Sequence, residues 1–160
     1  MAQLKRKDFA HYFNTSTTSE ANWVLEGIGV EALSLSYNPQ IDTFKQIIDD
    51  VASSTFDSYQ IQSSVSGKRI DKDDPIWTWL NEARKKAESI ETKMLEVNMA
   101  SGTGSGTLSY EALQYNVLIV IKEFLGENAT ISYDVYVKGK PTVGSVTITS
   151  GKPSFTESAE

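Results

Sequence analysis

The sequence predicts a mainly β fold, an antiparallel sandwich or barrel with one packed helix. Three observations carry that expectation. Short segments along most of the chain alternate apolar and polar residues, turn residues punctuate them, and only the stretch after Asp74 carries a full set of helix signals. The 160 residues, 39% hydrophobic and 22% charged, suffice for one domain with a core of its own.

Residues 1–20 are polar and end in Asn14-Thr15-Ser16-Thr17-Thr18-Ser19, which reads as an N-terminal arm without periodicity. A single domain is expected over 21–150. It opens with Trp23-Val24-Leu25 and the interruption Gly27-Ile28-Gly29. Leu33, Leu35 and Tyr37 then alternate with Ser34, Ser36 and Asn38, which predicts a half-buried strand ended or bent at Asn38-Pro39. Residues 40–53 fit two patterns. Phe44, Ile47, Ile48 and Val51 have helical spacing, while the β-branched and Ser/Thr-rich flanks suit an extended hairpin. Beyond them Tyr59, Ile61, Ser63 and Val65 face away from Ser58, Gln60, Gln62 and Ser64, the pattern of a strand wet on one side.

Asp74-Pro75 opens a helix expected over 75–89. Asp74 can cap the free N–H groups, and proline at the first helical position gives up a donor that has no partner there. Ile76, Leu80, Ala83 and Ala87 form the apolar stripe, flanked by Trp77 and Trp79. Residues 95–99 alternate again, 101–107 form a Gly/Ser/Thr loop, and a long strand is expected over 110–122. Gly126-Glu127-Asn128 makes a turn. Ile131, Tyr133, Val135 and Val137 alternate in a strand, Lys138-Gly139-Lys140-Pro141 reads as a turn, and Ser145–Thr149 completes a C-terminal hairpin. A polar tail is expected over 151–160.

Chemistry is sparse. With no cysteine and one histidine, His11, the chain lacks the ligands of a zinc site and offers a Ser/His/Asp triad at most one base. His11 reads as an incidental polar residue of the arm. The glycines at 102, 104 and 106 precede a strand and no lysine accompanies them, so a phosphate loop is not expected. Asp71, Asp73 and Asp74 lack the spacing of a calcium loop, and Pro75 stands at a would-be ligand position; a helix cap in an acidic loop is the better reading. No catalytic, cofactor or metal site is expected, and the protein is read as a non-enzyme.

The net charge of −6 and pI near 4.9 oppose tight binding of nucleic acid, whose phosphates call for a basic face. Lys5-Arg6-Lys7, Lys68-Arg69 and Arg84-Lys85-Lys86 are the only basic clusters. The N-terminus carries no apolar stretch of a signal peptide, and no run approaches the roughly 20 apolar residues of a membrane helix. Synthesis and folding in the cytoplasm are expected.

Five stretches, in order and over nearly the whole chain, carry a resemblance: Gln3–Ala10, Trp23–Val30, Ser34–Gln40, Asp74–Leu80 and Asp134–Gly144. Together they resemble the major tail proteins, the tail-tube subunits, of long-tailed siphovirus-type bacteriophages of Gram-positive bacteria. The resemblance implies a β-sandwich with a flanking helix that assembles with itself into stacked hexameric rings. Such rings form the tail of the virion, made in the host cytoplasm, with a tape-measure protein and tail-tip and terminator proteins as partners. Phage DNA would pass through the lumen without tight binding, and no membrane is involved. An additional C-terminal immunoglobulin-like domain, carried by some relatives, is not expected.

On this reading Ser34, Ser36, Ser58, Gln60, Gln62, Glu96 and Asn98 face the lumen, with Asp42, Asp49, Asp50 and Asp57 lending negative potential. The alternative for each is an ordinary solvated face. Inter-ring contacts are expected from the arm and from residues 40–56: Phe9, Tyr12, Phe13, Asp42, Phe44, Ile47, Asp49, Asp50 and Phe56. Two other readings remain: the tube subunit of a contractile tail, tailocin or related injection machine, and a carbohydrate-binding sandwich with Trp23, Trp77 and Trp79 as stacking platforms.

Overall fold

A computed structural model describes residues 2–126 and 128–159. In chain order the strands are β1 (Phe9–Asn14), β2 (Trp23–Leu25), β3 (Pro39–Phe44), β4 (Ser53–Tyr59), β5 (Gln62–Arg69), β6 (Ile90–Thr103), β7 (Ser109–Phe124), β8 (Thr130–Thr149) and β9 (Lys152–Glu157). Helix α1 (Pro75–Lys86) lies between β5 and β6. The fold is mainly β, with 55% of the residues in strands, a single helix and a main sheet that is nearly closed like a barrel. That sheet is antiparallel in the order β2-β1-β6-β7-β8-β5, and β9 pairs with the C-terminal half of β8. β3 and β4 form a separate two-stranded sheet.

Alternation along the shared strands builds two cores on opposite faces. On one face Phe13, Met94, Tyr115, Ile119 and Tyr133 pack with Ile76 and Leu80 of the helix. On the other, Tyr12, Leu95, Val97, Ala112 and Val146 pack with Trp23 and Phe155. Tyr12 and Phe13 are neighbours, as are Met94 and Leu95, and each pair splits between the two cores, as the two-residue period of a strand dictates. The face that is dry over the β2-β9 half is wet over the rest. There Glu91 and Lys93 of β6, Asn116 of β7, and Asp134, Tyr136 and Lys138 of β8 share a polar surface with Gln62 and Ser64 of β5.

The helix begins where the sequence places it. The Asp74 carboxylate accepts from the Ile76 N–H at 3.0 Å, Pro75 is the first helical residue, and Ile76 and Leu80 are fully buried. It ends at Lys86 rather than 89, because Ala87 turns left-handed with φ 53° and closes the C-terminus.

Several expectations need correction. The polar arm contains β1, held between β2 and β6 inside the main sheet. Its side chains are covered on both faces, so it shows none of the apolar–polar alternation that marks a half-wet strand. Residues 32–38 form no ladder; Leu33 is buried, yet the only pairing is a bridge from Ser36 to Gln62. The ambiguous segment 40–53 is a hairpin whose connection runs over 45–52. The continuous strand expected through 58–65 breaks at Gln60, whose N–H turns to the Tyr37 carbonyl, so its halves belong to different sheets. The loop expected over 101–107 is shorter at its start, since β6 runs to Thr103.

Lys138-Gly139-Lys140-Pro141 is not a turn. β8 runs through it, and the extra residues form a bulge opposite Tyr115, between the pairs Asn116–Lys138 and Gln114–Thr142. Gly139 takes φ 76° there, and proline, which lacks a donor, is tolerated at a bulge. The C-terminal hairpin lies later, between β8 and β9, so the polar tail supplies a strand. Ser150 and Gly151 turn it, both with positive φ, as a two-residue hairpin requires. The turn expected at Gly126-Glu127-Asn128 includes Glu127, which lies outside the described residues.

Candidate functional site

The hairpin β3–β4 is the feature that the chain's own packing leaves unexplained. Its strands pair from Pro39–Tyr59 to Phe44–Ser53 with a bulge after Gln40, and they pair with no other strand among the described residues. Its apolar side chains are uncovered: Phe44 is 63% exposed, Val51 79%, Ile48 84% and Ile47 fully. The tip is nonetheless shaped, with the Asp49 N–H donating to the Gln46 carbonyl and the Asp49 carboxylate accepting from the Gln46 N–H. At its base Tyr59 meets Tyr37 edge-on at 5.4 Å and Phe56 at 4.7 Å. An isolated two-stranded hairpin is marginal in water, and one with apolar residues this exposed marks a surface made for contact.

Of the residues expected to reach another ring, Asp42, Phe44, Ile47, Asp49, Asp50 and Phe56 all lie on this hairpin. Phe9 is half-buried in β1. Tyr12 and Phe13, 6% and 0% exposed, are inside the chain's two cores. Sequence alone could not separate them from an arm, since arm and doubly covered strand look alike.

The residues expected on a common lumen face are divided. Ser36 and Gln62 are bridged and share the wet face of the main sheet. Ser58 pairs with Gln40 inside the hairpin, Gln60 sits at its base, and Ser34 is exposed before the bridge. Glu96 and Asn98 lie on the opposite face, in step with Met94. Glu96 there meets His11, which is 5% exposed rather than an incidental arm residue. Arg6 lies 3.1 Å from Nδ1 and Glu96 3.2 Å from Nε2. A guanidinium can only donate, so the imidazole carries its proton on Nε2 and donates to Glu96.

A buried charged cluster was not legible in the sequence. A bulge between Val65 and Lys68, with Gly67 at φ 65°, turns Lys68 inward from β5. Its ammonium lies 2.6 Å from Glu26 and 2.8 Å from Asp74, all three side chains being essentially inaccessible, and donates to the Ile28 carbonyl at 2.5 Å. The Tyr133 hydroxyl donates to the second oxygen of Glu26. The cluster thus joins the loop after β2, β5, the helix cap and β8. Burial pushes the Glu26 carboxyl up, against the hydrogen bonds from Lys68 and Tyr133 that pull it down. Its charges are mutually engaged.

Burial also pushes the Tyr133 and Tyr115 hydroxyls up, helped by Glu26 at the first and Glu96 at the second. Both residues are fully buried. In the unfolded chain each ionises near pH ~10, whereas in the folded chain both keep their protons. Stability is therefore whole below pH ~10 and falls as pH rises beyond it, by about 1.4 kcal/mol per pH unit for each tyrosine. Urea midpoints at successive pH values should show this fall, and Tyr133→Phe should make it shallower.

Trp77 stacks on Phe124 at 5.9 Å, Trp79 packs on Phe13, and Trp23 joins the smaller core, so none stands free as a stacking platform. Among the described residues no three His, Cys, Asp or Glu side chains could hold a metal ion together, and no helix is long and apolar enough to cross a membrane. No protein-family model matches the chain, and a search of the curated proteins finds no match either.

Proposed function

We propose that this protein is a structural subunit that associates with itself into stacked rings around a channel, as tail-tube proteins of long-tailed phages do. The observation that carries the reading is the hairpin β3–β4, an ordered arm with apolar side chains that its own subunit leaves uncovered. Its acidic and apolar tip lies at one end of the hairpin and the main sheet at the other, so whatever it meets lies beyond the subunit. A contact between unlike surfaces of identical copies repeats without limit unless it closes into a ring.

Two further features support it. Among the described residues β2 and β5 are the end strands of the main sheet, the outer edge of β5 meeting backbone only at the Ser36–Gln62 bridge and at Gly29–Arg69, and neighbouring subunits can extend such ends into a common wall. The wet face mixes charges of both signs, with Lys138 paired to Glu91 at 3.1 Å and Lys122 near Asp134 at 3.9 Å. A channel lined this way offers phosphates no basic track, and DNA slides where it does not adsorb. Partners in this reading are further copies of the chain, length-setting and terminal proteins of the tail, and DNA in transit.

Negative-stain electron microscopy of the purified protein at rising concentration tests it. Hollow rings or tubes with a regular axial repeat are expected. Monodisperse monomers at every concentration, with and without an added tail-tip complex, would remove the proposal.

A further inference from the structure

In the buried cluster of Lys68, Glu26 and Asp74 the two carboxylates meet the lysine differently. Glu26 Oε1 accepts a hydrogen bond from the Lys68 ammonium at 2.6 Å, and Oε2 accepts from the Tyr133 hydroxyl. Asp74 Oδ2 lies almost as close to the ammonium, at 2.8 Å, yet it has no hydrogen-bond partner among the described residues. The Lys68 nitrogen thus touches the Asp74 carboxyl group without the angles of a hydrogen bond. A buried oxygen left in that state calls for an explanation. The other oxygen of Asp74, Oδ1, is held by the Ile76 N–H at the start of α1, 3.0 Å away.

From this arrangement we propose that the chain modifies itself: the Lys68 nitrogen attacks the Asp74 carboxyl carbon and forms an isopeptide amide, with Glu26 relaying the protons. The N–C bond forms and the bond from carbon to Oδ2 breaks. The ammonium carries three protons and the amide keeps one. The other two leave with Oδ2 as water, passed on by Glu26, which ends as it began. Oxidation states do not change, and no further reactant takes part.

Each part of the step has its group in place. Negative charge that builds on Oδ1 during attack meets the Ile76 N–H and the positive end of the helix. Amine and carboxyl are held in contact by the fold, which supplies the proximity that a reaction between free molecules lacks. Glu26 is the relay rather than the target, because both its oxygens are engaged in hydrogen bonds. Burial pushes its carboxyl up, which suits a group that must hold and return a proton. The site also favours the product. One cation and two anions are shut away from water, their side chains at most 1% exposed. Condensation replaces an opposite pair of buried ions by a neutral amide and releases a water to the solvent. The product ties the end of β5 to the first turn of α1, and Oδ1 keeps its place as the helix cap.

Peptide mapping tests this on the full-length chain, folded, aged, then denatured and digested with trypsin. An amide at Lys68 blocks cleavage there and joins residues 46–69 to 73–84, at a mass one water below that of the two peptides together. That joined pair is expected in most wild-type molecules. Asp74→Asn should end in the same pair, because ammonia then leaves in place of water and the amide is identical. Glu26→Gln should slow joining by about a hundredfold in freshly translated chain that circular dichroism shows to be folded. Free peptides ending at Lys68 throughout the aged wild type would overturn the proposal. Residues 46–69 joined to 8–45 would overturn the assignment and make Glu26 the target. Joining in Glu26→Gln at the wild-type rate would overturn the relay.

Discussion

Lys68→Met is expected to cost about 3–5 kcal/mol of stability, out of the roughly 5–15 kcal/mol a domain of this size possesses. Methionine fills the volume of the lysine stem, so the loss reports charge rather than a cavity. What remains is Glu26 and Asp74, two carboxylates shut away from water with their common cation removed. Desolvation of an unpaired ion outweighs the lost attraction itself, which is why breaking a buried pair costs more than the pair contributes. A thermal midpoint roughly 10 °C lower is expected. Adding Glu26→Gln should recover part of the loss, since one stranded charge disappears while Tyr133 keeps an acceptor. Such non-additivity is the mark of a coupled cluster. Urea denaturation of the two single variants and the double variant checks it, and a Lys68→Met loss below about 1 kcal/mol would dissolve the idea of a binding charge cluster.

The second large effect separates association from folding. Replacing residues 45–52 by Asn-Gly would join Phe44 to Ser53 through a two-residue turn of the kind that hairpins prefer. The lost Ile47, Ile48 and Val51 bury nothing within the subunit, so its thermal midpoint should move by no more than a degree or two. Burial of an aliphatic side chain is worth about 1.5–3 kcal/mol, so three lost anchors should weaken association by about a thousandfold or more. On the proposed assembly, light scattering and microscopy should find monomers at concentrations where rings or tubes are expected of the wild type. Tubes of normal appearance from this variant would remove the hairpin from the assembly.

Much of the fold was readable because its signals are local. Asp74-Pro75 announced the helix, since cap and first turn are set by adjacent residues. The long strand expected over 110–122 and the alternation of Ile131, Tyr133, Val135 and Val137 marked β7 and the first half of β8. What stayed hidden depends on distant partners. β1 pairs with β6, about 85 positions away, and Phe13 is covered by Trp79 and Tyr133 from elements farther along the chain, so nothing in its own composition marks it as interior. Gly139 and Pro141 carry the residues of a turn, yet the pairing with β7 on either side makes them a bulge. Lys68 reads in the sequence only as half of the basic cluster Lys68-Arg69; its partners Glu26 and Asp74 come from two other elements. The hairpin tip was ambiguous for a different reason. Residues that bury nothing within the chain, such as Ile47, Ile48 and Val51, have no packing that would impose a period on their sequence.

The order of the strands also sets a timetable. β1 is the first strand to leave the ribosome, yet its partner β6 follows only after the hairpin, β5 and the helix have been made. β5 likewise waits for β8, some 70 residues on. Pairings this remote have to close long loops before they gain anything, so folding is slow compared with that of helical domains of the same size. During that interval Tyr12 and Phe13 are exposed on a nascent chain that already carries the apolar hairpin. Newly made chains at high local concentration therefore face a race between completing the sheet and sticking to one another.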